Sequence, residues 1–142
     1  MLKKIISIVF CVSLAACANQ NVTQSDSECG LEQLMLGVSC IEPDLDEIVK
    51  HPLGSPGNPV RADGPAGQRE YLSRLVCTNG EPVSEFKRTS SAGMGPWGFI
   101  LDSYVVLCDT HQGVIEHNVY LDLYHKGYRE TEVAEGFGDI ML

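Results

Sequence analysis

The chain has 142 residues, ten basic and nineteen acidic side chains, a formal net charge of −9 and 44% hydrophobic residues. That length fits one domain and leaves no room for long arrays of ~20–50-residue repeats. The acidic excess excludes a nucleic-acid binder, which must neutralise phosphates with Lys and Arg, and the apolar content excludes wholesale disorder.

Lys3 and Lys4 precede an apolar run from Ile5 to Val12, followed by Leu14, Ala15, Ala16 and Cys17. A basic start, a short apolar stretch and small residues before a cut predict a secretory signal peptide over residues 1–16. The run is too short to span a bilayer, which takes ~20 apolar residues.

Leu14-Ala15-Ala16-Cys17 resembles the lipobox of bacterial lipoproteins. The resemblance implies a diacylglyceryl thioether on Cys17, cleavage just before it and acylation of the new amino group. It implies a membrane anchor, and Ala18 in place of an aspartate implies sorting to the outer membrane. Each buried methylene contributes ~0.8 kcal/mol, so several acyl chains hold firmly. The alternative is an ordinary secretory cut that leaves Cys17 for a disulfide. Without Lys3 and Lys4 the mature chain keeps eight basic and nineteen acidic side chains, a net −11. Such a surface repels anionic headgroups and could attract a basic protein partner.

Residues 17–28 read as the lipidated Cys and a flexible polar tether, and residues 29–142 as one globular domain. The eleven residues after Cys17 would span ~18 Å as a random coil. Cys11 leaves with the signal, so Cys29, Cys40, Cys77 and Cys108 remain, and an oxidising compartment predicts two disulfides from them. Three pairings are possible. The favoured one closes a local loop with Cys29–Cys40 and ties two neighbouring strands with Cys77–Cys108. Zinc is the alternative, but no Cys-x-x-Cys pair is present, and no metal or cofactor is expected.

Asp44 to Lys50 predicts a short helix that buries Leu45, Ile48 and Val49. Residues 51–67 hold four prolines and four glycines, which predicts a long loop without regular structure, functional or packed as a strap over the core. Tyr71 to Cys77 suits a strand, although Tyr71/Leu75 and Leu72/Val76 also suit a helix. Asn79-Gly80 predicts a turn. Phe86 to Thr89 is a weak strand, Ser90 to Gly98 a glycine-rich loop, and Phe99 to Cys108 the strongest strand in the chain. After a turn at Thr110 to Gly113, Val114 to His125 returns as its hairpin partner. The fold expected is α+β, mostly antiparallel β, with a short N-terminal helix.

Catalytic signals are thin. His111, His117, Asp122 and His125 invite a metal or a general base. On one straight strand, however, His117 and His125 stand ~26 Å apart and Asp122 faces the other way. Convergence would need a break in the strand. No Gly-x-Ser-x-Gly elbow is present, and the glycine-rich stretch matches neither phosphate-loop motif. The candidate binding surfaces are Trp97, in a loop that would anchor a partner or fold back as a cap, and a row of Tyr120, Asp122 and Tyr124 opposite Val119, Leu121 and Leu123.

Segments 54–61, 71–75 and 120–125 resemble small exported bacterial domains of unknown role, which implies no activity. The expectation is a non-enzymatic envelope lipoprotein with a binding or structural role. Its alternatives are an inhibitor or immunity protein against a basic secreted hydrolase, and a periplasmic hydrolase with an unrecognised site.

Overall fold

The computed structural model describes residues 42–142. Cys17, Ala18, Cys29 and Cys40, with the expected signal and tether, lie outside the described residues. A single helical turn, α1 (Leu45–Ile48), is capped by Asp44, whose carboxylate accepts from the Glu47 N–H at 3.1 Å. It buries only Ile48, and Leu45 and Val49, expected to bury, stay exposed.

The proline- and glycine-rich stretch does carry regular structure. Strand β1 (Val60–Asp63) begins directly after Pro59, and helix α2 (Gly64–Arg74) starts with Pro65 in its first turn. Each proline therefore sits where its missing N–H costs little. Helix α2 resolves the ambiguous 71–77 segment: Gln68, Tyr71 and Leu72 are buried, and the chain becomes extended only at β2 (Leu75–Val76). The remaining strands are β3 (Glu85–Met94), β4 (Ile100–Thr110), β5 (Gly113–Asp122), β6 (Tyr124–Arg129) and β7 (Asp139–Ile140).

Five strands form one sheet in the order β3-β4-β5-β1-β6, and β2 pairs with β7 in a second. Every pairing is antiparallel except β1 with β5. The sheet is thus mostly antiparallel, as the alternation of apolar residues suggested. Strand β3 runs further than the weak signal implied, pairing with β4 from Ile100 to Leu107, with two register shifts. One sheet face carries Tyr104, Val106, Val119, Leu121 and Val60, and α2 packs its Tyr71 and Leu72 into the same core. Leu53 to Asn58 do form a strap. The Gly54 carbonyl accepts the Tyr120 N–H at 2.8 Å. Gly54 itself has φ 89°, and a Cβ there would lie 3.1 Å from that of Ala134, so only glycine fits this close approach.

The expected Cys77–Cys108 bridge is present, with a Cα–Cα distance of 5.8 Å. It does not join neighbouring strands. Cys77 follows β2 and Cys108 lies in β4, so the bond ties the small sheet to the large one. Replacing both cysteines by serine is expected to cost ~2–4 kcal/mol, chiefly through a less restricted unfolded chain. Urea denaturation of both forms measures this, and an unchanged midpoint would count against the assignment.

Candidate functional site

Two polar constellations occupy opposite faces of the same end of the sheet. Asp102 stands opposite Leu121 in the β4–β5 register, on the core face, and Asp122 comes one residue later, on the other.

On the outer face, Arg61 of β1 lies beside Asp122 of β5 in parallel register. Strand β5 stops at Asp122, and the Leu123 carbonyl accepts the Gly64 N–H at 2.8 Å. The chain thereby passes round the end of β1 into β6. This break brings His125 back, with its Nε2 3.2 Å from the Asp122 Oδ2. The straight-strand expectation that these two residues point apart is overturned. Asp122 is fully buried, and its Oδ1 accepts the Tyr124 N–H at 3.0 Å. Arg61 donates to the Tyr128 hydroxyl, with its guanidinium 3.8 Å from that ring and 4.7 Å from Trp97. Trp97 meets the His125 ring edge-on at 5.4 Å. The 95–99 loop has folded back as a cap, over this polar cluster and not over the apolar core. Trp97 Nε1, Asp122 Oδ2 and His125 Nε2 are all buried without a hydrogen-bond partner among the described residues.

The core-face constellation is open. Gln68 of α2 donates to Asp102 Oδ2 at 3.1 Å and accepts the Tyr104 hydroxyl at 3.1 Å. Arg88 of β3 donates to Asp102 Oδ1 at 2.6 Å and to Ser91 Oγ at 3.0 Å. That carboxylate holds the Arg88 proton still more tightly than usual. Burial pushes the Tyr104 phenol above the ordinary tyrosine range, the Asp102 charge adds to this, and Arg88 and Arg69 oppose it. These residues line a cleft of about 680 Å³ between α2 and the β3–β4 half of the sheet.

The other expected residues scatter. Tyr120 is half-buried under the strap, and Tyr124 begins β6, 53% exposed and stacked on Phe99 at 5.1 Å. The tyrosine row is therefore interrupted. His117 packs on Phe137 at 4.7 Å, and His111 sits exposed in the β4–β5 turn. Among the described residues no three His, Cys, Asp or Glu side chains gather as metal ligands. Ser84-Glu85-Phe86-Lys87 spells Ser-x-x-Lys, but it is extended, so Ser84 and Lys87 face opposite ways, and the Ser84 hydroxyl donates to the Leu107 carbonyl. Arg61, Gln68, Arg88, Asp102 and Tyr128 were not legible as site residues, because no motif links them.

A His–carboxylate pair can hold or pass a proton, yet here Trp97 lies against it. The cleft, by contrast, is solvent-accessible and carries fixed charge. The chain matches no protein family, no characterised protein and no solved structure.

Gly95 permits the loop to fold back, since a Cβ there would lie 2.5 Å from the Leu101 side chain. Gly95→Ala should cost ~1–3 kcal/mol by overpacking and shift emission of Trp97, the only tryptophan, to the red. Unchanged fluorescence and stability would show that the loop is not held there. A second expectation concerns alkaline pH. Burial, the largest cause, raises the phenols of Tyr71, Tyr104 and Tyr128 above their ordinary value. The fold then favours their protonated forms, so its stability is full below about pH 10 and falls as pH rises towards the folded values. Urea midpoints at increasing pH should decline, less steeply for Tyr128→Phe. A midpoint rising over that range contradicts the assignment.

Proposed function

We propose that the chain is the precursor of a bacterial envelope lipoprotein, held in the outer membrane through lipid on Cys17, with a domain that binds rather than catalyses. The observation that carries this reading is Leu14-Ala15-Ala16-Cys17 behind a basic and apolar leader. The thiol is the side chain that can form the thioether, and the small residues suit a narrow protease site. Support for binding over hydrolysis comes from the packing of Trp97 and Arg61 around the Asp122–His125 pair, which restricts access to it. The Cys77–Cys108 bridge agrees with an oxidising compartment.

Intact mass and membrane fractionation, wild type beside Cys17→Ala, test the anchor. The expected result is a wild-type mass beginning at Cys17 plus lipid and sedimenting with membranes, with the variant released or unprocessed. A soluble, unlipidated wild type overturns it.

The net −11 of the mature chain favours one second reading, an inhibitor or immunity protein against a basic secreted hydrolase. Affinity for such an enzyme should then fall steeply with added salt. Affinity that does not change with salt removes this reading.

A further inference from the structure

We propose that the cleft between α2 and the β3–β4 half of the sheet binds a small organic acid, its carboxylate held between Arg69 and Arg88 and its apolar body against Phe86, Ile100 and Tyr124. The inference rests on the reading of the domain as a binding module and is independent of the anchor.

The size is right: about 680 Å³ falls among the ~300–1,000 Å³ of small-molecule sites. The charge is locally inverted. In a chain of net −9, this cleft is lined by Arg69, Lys87 and Arg88 against one carboxylate, Asp102. Arg88 is prepared for a ligand. Its side chain is 48% exposed, yet its guanidinium is pinned by Asp102 and Ser91. Asp102 is fixed in turn by Gln68, and Gln68 by Tyr104, and all three are more than nine-tenths buried. A cation immobilised before binding loses little freedom when a ligand arrives. Both Asp102 oxygens are engaged from within the fold, one by Gln68 and one by Arg88.

Arg69 supplies that second cation. It is exposed, it opposes Arg88's carboxylate partner in acting on Tyr104, and it makes no hydrogen bond or ion pair among the described residues. Two guanidinium forks can grip one carboxylate in its own plane. Ile100 and Tyr124 on the rim are 51% and 53% exposed, and an apolar ligand body would remove that surface from water. Together they select an anion with an apolar body over inorganic phosphate.

The test uses the full chain, purified in mild detergent, with benzoate as probe. Benzamide supplies the same ring without charge, and inorganic phosphate supplies charge without the ring. Binding is read from the Nε–H resonances of the arginine side chains, which partition of a probe into detergent does not mimic. Benzoate should shift Arg69 and Arg88 saturably, with benzamide silent and phosphate weaker. Arg69→Gln, which removes an exposed side chain, should weaken benzoate about five- to tenfold with the amide spectrum otherwise intact. Equal shifts from benzamide, affinity unaltered by Arg69→Gln, or phosphate binding as tightly as benzoate would each overturn the proposal. None of these results touches the Cys17 fractionation, so loss of the cleft and loss of the anchor are told apart.

Discussion

A strand of four residues stands where a simple meander would place its next neighbour. Strand β1 takes the edge of β5 in parallel and offers its other edge to β6, antiparallel. Consecutive strands β5 and β6 therefore cannot pair with each other. The chain between them is reduced to Leu123, which must pass the end of β1 and is fastened there by the Gly64 N–H. Almost everything polar at this end follows. Arg61 arrives beside Asp122 because β1 lies against β5, and His125 and Tyr128 arrive because β6 lies against β1. Helix α2 leaves the same end of β1, which places Gln68 over Asp102 on the opposite face.

The contribution of each signal to legibility had a physical basis. Strands β4 and β5 were readable because Tyr104, Val106 and Cys108, and Val119 and Leu121, alternate with residues on the other face, the period of a one-sided core. The Cys77–Cys108 bond was readable from compartment logic, although not the fact that it spans two sheets. Strand β1 was hidden because its four residues lie between Pro59 and Gly64-Pro65, and short strands bounded by breakers have the composition of loops. The break at Leu123 was hidden for the opposite reason. Tyr120-Leu121-Asp122-Leu123-Tyr124 alternates without interruption, and nothing local to it announces that another segment will claim the edge. Of the cleft only Tyr124 was legible, since Gln68, Arg88 and Asp102 are separately ordinary and meet only through tertiary packing.

Two buried carboxylates are accommodated in different ways. Asp102 has both oxygens engaged, one by an amide and one by a guanidinium, and the network extends to a buried phenol. Asp122 has one oxygen engaged by a backbone N–H, and the other faces an imidazole without a hydrogen bond. An unsatisfied buried group costs about 1–3 kcal/mol. The Asp102 side is thus a rigid framework, whereas the Asp122 side is where the fold holds polar groups at a net cost beneath an aromatic cover.

The small sheet has a consequence for how the chain reaches this state. On one side Leu75 and Val76 are engaged locally, by the Val83 N–H and by a bridge to Pro82, and on the other they pair with Ile140 and Asp139, while the Arg74 carbonyl accepts from the Met141 N–H. That second edge must stay open until residues 139–141 are at hand, which lie beyond every strand of the large sheet in the chain. Contacts of such sequence separation close slowly. Folding of this domain is thus tied to its last residues, because Ile140 completes the cluster that holds Leu72, Leu75 and Phe137. The last turn of assembly, not the first, is what seals the core.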